Sequence, residues 1–194
     1  MNAYSTQNSL LMTNLLSFYE QNNNLQTMLK VVAGETRVSL RIVDWFVTNY
    51  AKKYYTVYDI PSNSITGNST RRFKVYTDYK LKLKAYSKKR FDPFCRWDRI
   101  SIPYTASTSV QTTIGQLNFF KWIIDNDIIS YIEENYEDIE NDMNSRNSTS
   151  KKRDKKEPNT LSDGTKTRKK REELSISATK SIKTENVEIV VSFS

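Results

Sequence analysis

Apolar residues recur at helical spacing from Asn8 to Tyr19. Leu11, Leu15 and Phe18 share a face, with Leu16 and Tyr19 beside them. The run Asn22–Asn24 interrupts that helix, because asparagine competes locally for backbone hydrogen bonds. Leu25, Met28, Leu29 and Val32 continue the period, and Gly34 is a helix stop. Ser39 is an N-cap candidate for a third helix, where Leu40, Val43, Phe46, Val47 and Tyr50 share a face. Lys52 and Lys53 at its end suit the helix dipole.

The period then changes to two. Tyr54–Ile60 is aromatic and β-branched, which predicts a strand, and 61–70 reads as a polar loop. From Arg72 to Tyr86 the odd positions (Phe73, Val75, Thr77, Tyr79, Leu81, Leu83, Ala85) are mostly apolar. The even positions carry Lys74, Lys80, Lys82 and Lys84. One strand of that length would span roughly 50 Å, well beyond the usual range. A break near Thr77–Asp78 is therefore expected. Beyond it two readings stay open: a further strand over 79–86, or a helix with Tyr79, Leu83, Tyr86 and Arg90 on one face. Asp92–Pro93 makes a turn, Arg99–Tyr104 alternates again, and 106–113 reads as a polar connector.

Thr113 with Gln116 forms a capping-box pattern. It opens a long amphipathic helix whose stripe is Leu117, Phe120, Ile124, Ile128, Ile132, Tyr136, Ile139 and Met143. Asp125–Asp127 is placed to kink or split it. From Asn144 to Glu188 apolar residues almost vanish, and such a segment cannot repay the entropy of folding. Val187–Phe193 turns β-like.

These elements predict an α+β fold. A small antiparallel sheet (54–60, 71–77, 79–86 if extended, and 99–104) is flanked by N-terminal helices and a long C-terminal amphipathic helix, with a disordered basic tail. The expected organisation is a flexible 1–7, a domain over 8–143, a disordered basic linker over 144–186 and a short β-like segment over 187–194.

Charge sharpens the picture. Between Arg71 and Arg99 there are eleven Lys and Arg against three Asp, a net +8, which equals the formal charge of the whole chain of 194 residues. From Gly115 to Met143 there are eight acidic residues against Lys121, a net −7. The tail 144–194 holds thirteen basic and seven acidic residues, a net +6. Lys80, Lys82, Lys84, Lys88, Lys89, Arg90, Arg96 and Arg99 are candidate phosphate contacts, with Tyr76 and Tyr86 interleaved. The competing readings are a solvated strand face and internal neutralisation by the acidic helix. The tail clusters Lys151, Lys152, Arg153, Lys155 and Lys156, and Arg168, Lys169, Lys170 and Arg171, resemble localisation signals and would bind any anionic surface. Val187, Ile189, Val191 and Phe193 are candidates for docking on the body or on a partner's sheet edge.

Composition excludes several chemistries. With no histidine and one cysteine there is no His-based triad, no Cys/His zinc site and no intramolecular disulfide. Four glycines leave no phosphate loop and no dinucleotide fingerprint. Cys95 has Arg90 and Arg96 nearby to lower its pKa, but no histidine to serve as base, so a structural cysteine is the favoured reading. Glu133/Glu137 and Asp138/Asp142 have the spacing for a divalent ion, against the plainer reading of a solvated helix face. No catalytic residue, metal or cofactor is expected. The single cysteine fits a reducing compartment, and with neither a membrane span nor a signal peptide recognisable the expectation is an intracellular, soluble protein.

Three segments, SLRIVDWFVTNYAKK (39–53), LKAYSKKRFDPFCRWDRI (83–100) and TTIGQLNFFKWIIDNDIISYIEENYEDIENDM (112–143), together with a terminus ending VSFS, carry a resemblance. They resemble a family of small, largely uncharacterised proteins encoded by giant and other large double-stranded DNA viruses. The resemblance implies a viral protein and carries over no activity and no functional residue. The expectation is a non-enzymatic protein that binds DNA or RNA, or sits against it in the virion, located in the host cytoplasm or nucleus. The alternative is an assembly adaptor whose C-terminal segment docks on another viral protein.

Overall fold

The computed structural model describes residues 3–61, 70–104, 108–153 and 184–186. The chain is α+β, and its centre is a helix rather than a sheet. Helices α1 (Ala3–Tyr19) and α2 (Asn24–Ala33) lead in. Asn22 and Asn23 both adopt the left-handed region, which asparagine tolerates. The Asn24 side chain donates back to the Phe18 carbonyl at 2.9 Å, satisfying the end of α1. Next come α3 (Leu40–Trp45), a π-helical turn over Phe46–Tyr50 and α4 (Ala51–Lys53). Ser39 caps α3 by accepting from the Ile42 amide.

Strands β1 (Val57–Pro61) and β2 (Thr70–Lys74) form an antiparallel hairpin with Val57 opposite Lys74. Helix α5 (Val75–Arg90) follows directly. Strands β3 (Arg99–Pro103) and β4 (Thr108–Thr113) pair antiparallel, and β5 (Thr184–Asn186) pairs on the other side of β4. Then come α6 (Ile114–Asp125), α7 (Ile128–Glu134) and α8 (Tyr136–Arg153).

Helix α6 is buried around almost its whole circumference, through Leu117, Phe119, Phe120, Trp122 and Ile123. Helices α1, α2 and α5 pack on it, while α8 packs on α3 and the π-helical turn. The Tyr19 hydroxyl donates to the Leu117 carbonyl at 2.6 Å, anchoring α1. Asn126, buried at the end of α6, donates to the Trp122 carbonyl at 2.7 Å. It also receives Tyr58 on its carbonyl at 2.8 Å and Arg71 on its side chain. One asparagine thereby ties the β1–β2 hairpin to the central helix.

Several sequence expectations are corrected. There are two sheets, not one. The strand ends at Lys74, and 79–86 is helical. Lys, Leu and Ala favour helix there, and helical spacing turns Val75, Tyr79, Leu83 and Tyr86 toward the core. The strand expected from Tyr54 starts at Val57, because Tyr54–Thr56 closes α4. The polar connector contains β4. Its inward positions include Thr112 and Thr113, whose hydroxyls are satisfied by the side chain and the amide of Gln116. The long helix is three helices, broken at Asn126–Asp127 and again at Asn135. Helix α8 continues through Arg153 and β5 is a strand, so the linker expected over 144–186 is structured at both ends.

Candidate nucleic-acid interface

Because 75–90 is a helix, its lysines do not share one face. Lys80 and Lys84 stand one turn apart on the outer side of α5, with Thr77 and Leu81, the latter 60% exposed. Lys82 lies half-buried on the opposite flank. Half-buried Tyr76 and Leu83 join Thr77, Lys80, Leu81 and Lys84 in lining a shallow depression. Lys52, from α4, reaches over the Tyr76 ring at 5.7 Å from its centroid. Among the described residues, Lys52, Lys74, Lys80, Lys82, Lys84 and Lys88 have no ion pair. Like charges one helical turn apart destabilise a helix by a few tenths of a kcal/mol, roughly. Helix α5 carries Lys80 and Lys84 in that relation.

The other candidates fare differently. Ser87 leaves the helical conformation (φ 59°, ψ 169°), so Lys88–Arg90 form a final turn past a kink. Lys89 pairs with Asp98 at 3.0 Å. Arg90 is half-buried, and its carbonyl accepts from Asn118 at 2.9 Å. Arg96 is held by an acid of its own chain. Its guanidinium makes a two-pronged contact with Asp92 at 2.9 and 2.8 Å, and the Asp92 side chain is only 3% exposed. Asp92 also accepts from the Phe94 amide at 3.1 Å. Arg96 is a structural partner with its charge answered. Arg99 is exposed at the start of β3.

The segment that Arg96 closes is clamped by α6. Gln116 donates to the Pro93 carbonyl at 2.9 Å, and the Asp92 amide donates to the Gly115 carbonyl at 3.2 Å. A Cβ on Gly115 would lie 2.9 Å from the Lys89 carbonyl oxygen, so only glycine allows this approach. Cys95 is buried there. Burial pushes its thiol pKa up, opposed by Arg99 and reinforced by Asp92. A buried thiol with a raised pKa agrees with the structural cysteine favoured from the sequence.

The acidic helices do not neutralise α5. Asp142 of α8 accepts from Trp45 at 3.1 Å, from Lys53 and from Tyr54 at 3.3 Å. Burial alone would raise its carboxyl pKa, but the Lys53 and Trp45 hydrogen bonds outweigh that and hold it below the ordinary carboxylate range. Glu137 faces Arg37 at 3.7 Å. Asp142 is thus committed to neighbours rather than to a metal with Asp138, and no metal-binding cluster is present among the described residues. Among the described residues no helix is long and apolar enough to cross a membrane.

Lys52 and Tyr55 were not among the sequence candidates, and Lys74 entered only as one charge of the basic block 71–99. Lys52 had a sufficient explanation in the helix dipole, and Tyr55 sat inside a presumed strand. Thr56 brings them beside α5, since its carbonyl accepts from the Val75 amide at 3.3 Å. Of the tail residues, Lys151, Lys152 and Arg153 belong to the end of α8. Lys155, Lys156, Arg168, Lys169, Lys170, Arg171, Val187, Ile189, Val191 and Phe193 lie outside the described residues.

Residues 3–193 match the Family of unknown function (DUF7197). The chain belongs to this family. It is also similar to "Uncharacterized protein L507" of Acanthamoeba polyphaga mimivirus, 44% identical over 136 residues, covering 68% of this chain and 50% of that protein. The chain therefore spans about half the length of the curated relative it matches. No solved structure matches it.

Proposed function

We propose that this protein is a non-enzymatic viral nucleic-acid-binding protein, acting in the host cell or within the virion. The observation that carries the reading is the unanswered charge around α5. Lys52, Lys74, Lys80 and Lys84 surround exposed aromatic and apolar surface, while Glu137 and Asp142 of α8 pair with Arg37 and Lys53 instead. Lysines spaced along a surface with aromatic rings between them suit a phosphate backbone and its bases. The basic clusters of the tail add sequence-independent attraction. The mimivirus relative supports a viral setting.

The test is binding of the full chain to a random duplex across salt concentrations. Each phosphate contact contributes about 0.9 to the slope of log K against log salt. Lys80→Ala with Lys84→Ala is expected to reduce that slope by roughly 1–2 and to weaken binding uniformly across sequences. An unchanged slope and affinity would remove α5 from the interface.

A second reading, an assembly adaptor, is favoured by β5. Thr184–Asn186 pairs with β4, and the sequence that follows it, Val187–Phe193, has the β-like composition suited to strand addition. Deleting 187–194 is expected to release a viral protein that otherwise co-purifies from infected cells. Unchanged co-purification would end that reading.

A further inference from the structure

The same closing turn ends two helices of this chain. After α2, the Glu35 amide donates to the Lys30 carbonyl at 2.9 Å, across Gly34 in the left-handed region (φ 74°). After α4, the Thr56 amide donates to the Ala51 carbonyl at 3.1 Å, across Tyr55 at φ 50°. Glycine belongs at this position because it has no Cβ to clash, and a bulky residue there is a genuine outlier. Tyr55 is also 85% exposed and, among the described residues, makes no hydrogen bond or ring contact. The chain accepts backbone strain and a solvated aromatic ring at one point, and among the described residues the ring serves no partner.

The surroundings point to an occupant. Lys52 precedes Tyr55 by three residues and reaches over Tyr76. Lys74 and Tyr76 flank Val75, whose amide is bonded to the carbonyl of Thr56. Lys80 and Lys84 continue the positive surface along α5. An exposed ring on a segment that runs beside Lys52 and Lys74 offers a flat π-face near cations. A duplex keeps its base faces stacked inside, whereas a single strand presents base faces and phosphates together.

We propose that Tyr55 is a base-stacking platform and that the preferred ligand of this surface is single-stranded nucleic acid. This rests on the nucleic-acid reading above and gives it a substrate class. The backbone conformation is what turns the ring outward, so the position keeps tyrosine at some expense to the fold.

The test uses the full chain with labelled oligothymidine and oligouridine of about 16 nucleotides and a duplex of the same length, at about 0.2 M salt to limit the tail's electrostatics. Tighter binding of the single strands is expected, and the two oligonucleotides separate DNA from RNA. Tyr55→Gly is expected to weaken single-strand binding roughly tenfold or more, with little change for duplex. The same substitution is expected to raise the thermal midpoint, because glycine relieves the left-handed strain. Weaker binding by a more stable protein excludes misfolding as the cause. Tyr55→Phe is expected to retain binding. If Tyr55→Gly binds single strands as tightly as the parent chain, or the chain prefers duplex, the stacking inference falls. If Lys80→Glu and Lys84→Glu still weaken binding in that case, the nucleic-acid reading survives without it. No binding of any probe, even at low salt, overturns both.

Discussion

Lys80–Lys84 and Lys89–Arg96 belong to one basic block, yet the fold uses them in opposite ways. Of the first group, Lys80 and Lys84 project from the outer face of α5 and Lys82 is half-buried on the opposite flank, and none of the three has an ion pair among the described residues. In the second, Lys89 meets Asp98, Arg90 is half-buried and Arg96 is locked on a buried Asp92. The difference lies in where the backbone goes. A helix keeps its lysines at the rim, whereas the kink at Ser87 sends the chain under α6, where each polar group needs a partner. Equal charge in the sequence is therefore unequal availability on the surface.

Mutations that attack the clamped side should cause the larger losses of stability. Phe91 is fully buried against Tyr79, Tyr86, Phe119 and Trp122, so Phe91→Ala is expected to destabilise by about 3–5 kcal/mol in urea denaturation. A loss below about 1 kcal/mol would mean that this segment is not part of the core. Asp92→Ala would leave Arg96 and the Phe94 amide without their acceptor. Because Arg96 is partly solvated, the expected loss is about 2 kcal/mol rather than the full value for a buried pair.

The Asp142 clamp should appear in the pH dependence. Its carboxyl pKa is depressed in the folded protein, so its contribution is complete above the unfolded value near ~3.9 and is lost as pH falls through the folded value. Lys53 mirrors this. Chiefly through its hydrogen bond to Asp142, its pKa is raised, so its contribution is complete below ~10.4 and is lost as pH rises through the folded value. Asp142→Asn is expected to remove the carboxylate's share of the acid-side loss in a stability–pH profile. An identical acid limb would show that other carboxylates set it. The smallest stability effect belongs to the exposed side. Lys80→Ala and Lys84→Ala should each stay within ~0.5 kcal/mol of the parent in the same denaturation experiment. A larger loss would mean that these lysines hold the fold together.

The sequence already marked several local features that the structure displays. Ser39 and Thr113 cap their helices, Gly34 ends α2, and the Asn22–Asn24 run separates two helices. Leu117, Phe120, Ile128, Ile132, Ile139 and Met143 are all buried, as their spacing predicted. Those features depend on residues within a few positions of one another. The alternation over 72–86 misled because Leu81 and Ala85 share a parity with Leu83 but face solvent once the chain coils. β4 was hidden because its inward threonines read as polar until Gln116 answers Thr112 and Thr113.

What the sequence determined by itself was local: helix starts and stops, the apolar stripe, the absence of histidine and the large blocks of charge. The tertiary structure decided which charges meet. Asp142 and Lys53 are far apart in the chain and adjacent in space, as are Pro93 and Gln116. It also put Tyr55 where a helix end needs glycine, with Lys52 and Lys74 beside it. Coulomb and hydrogen-bond energies depend on distance in space, and charge patterns along a chain do not fix that distance until the helices and strands have packed.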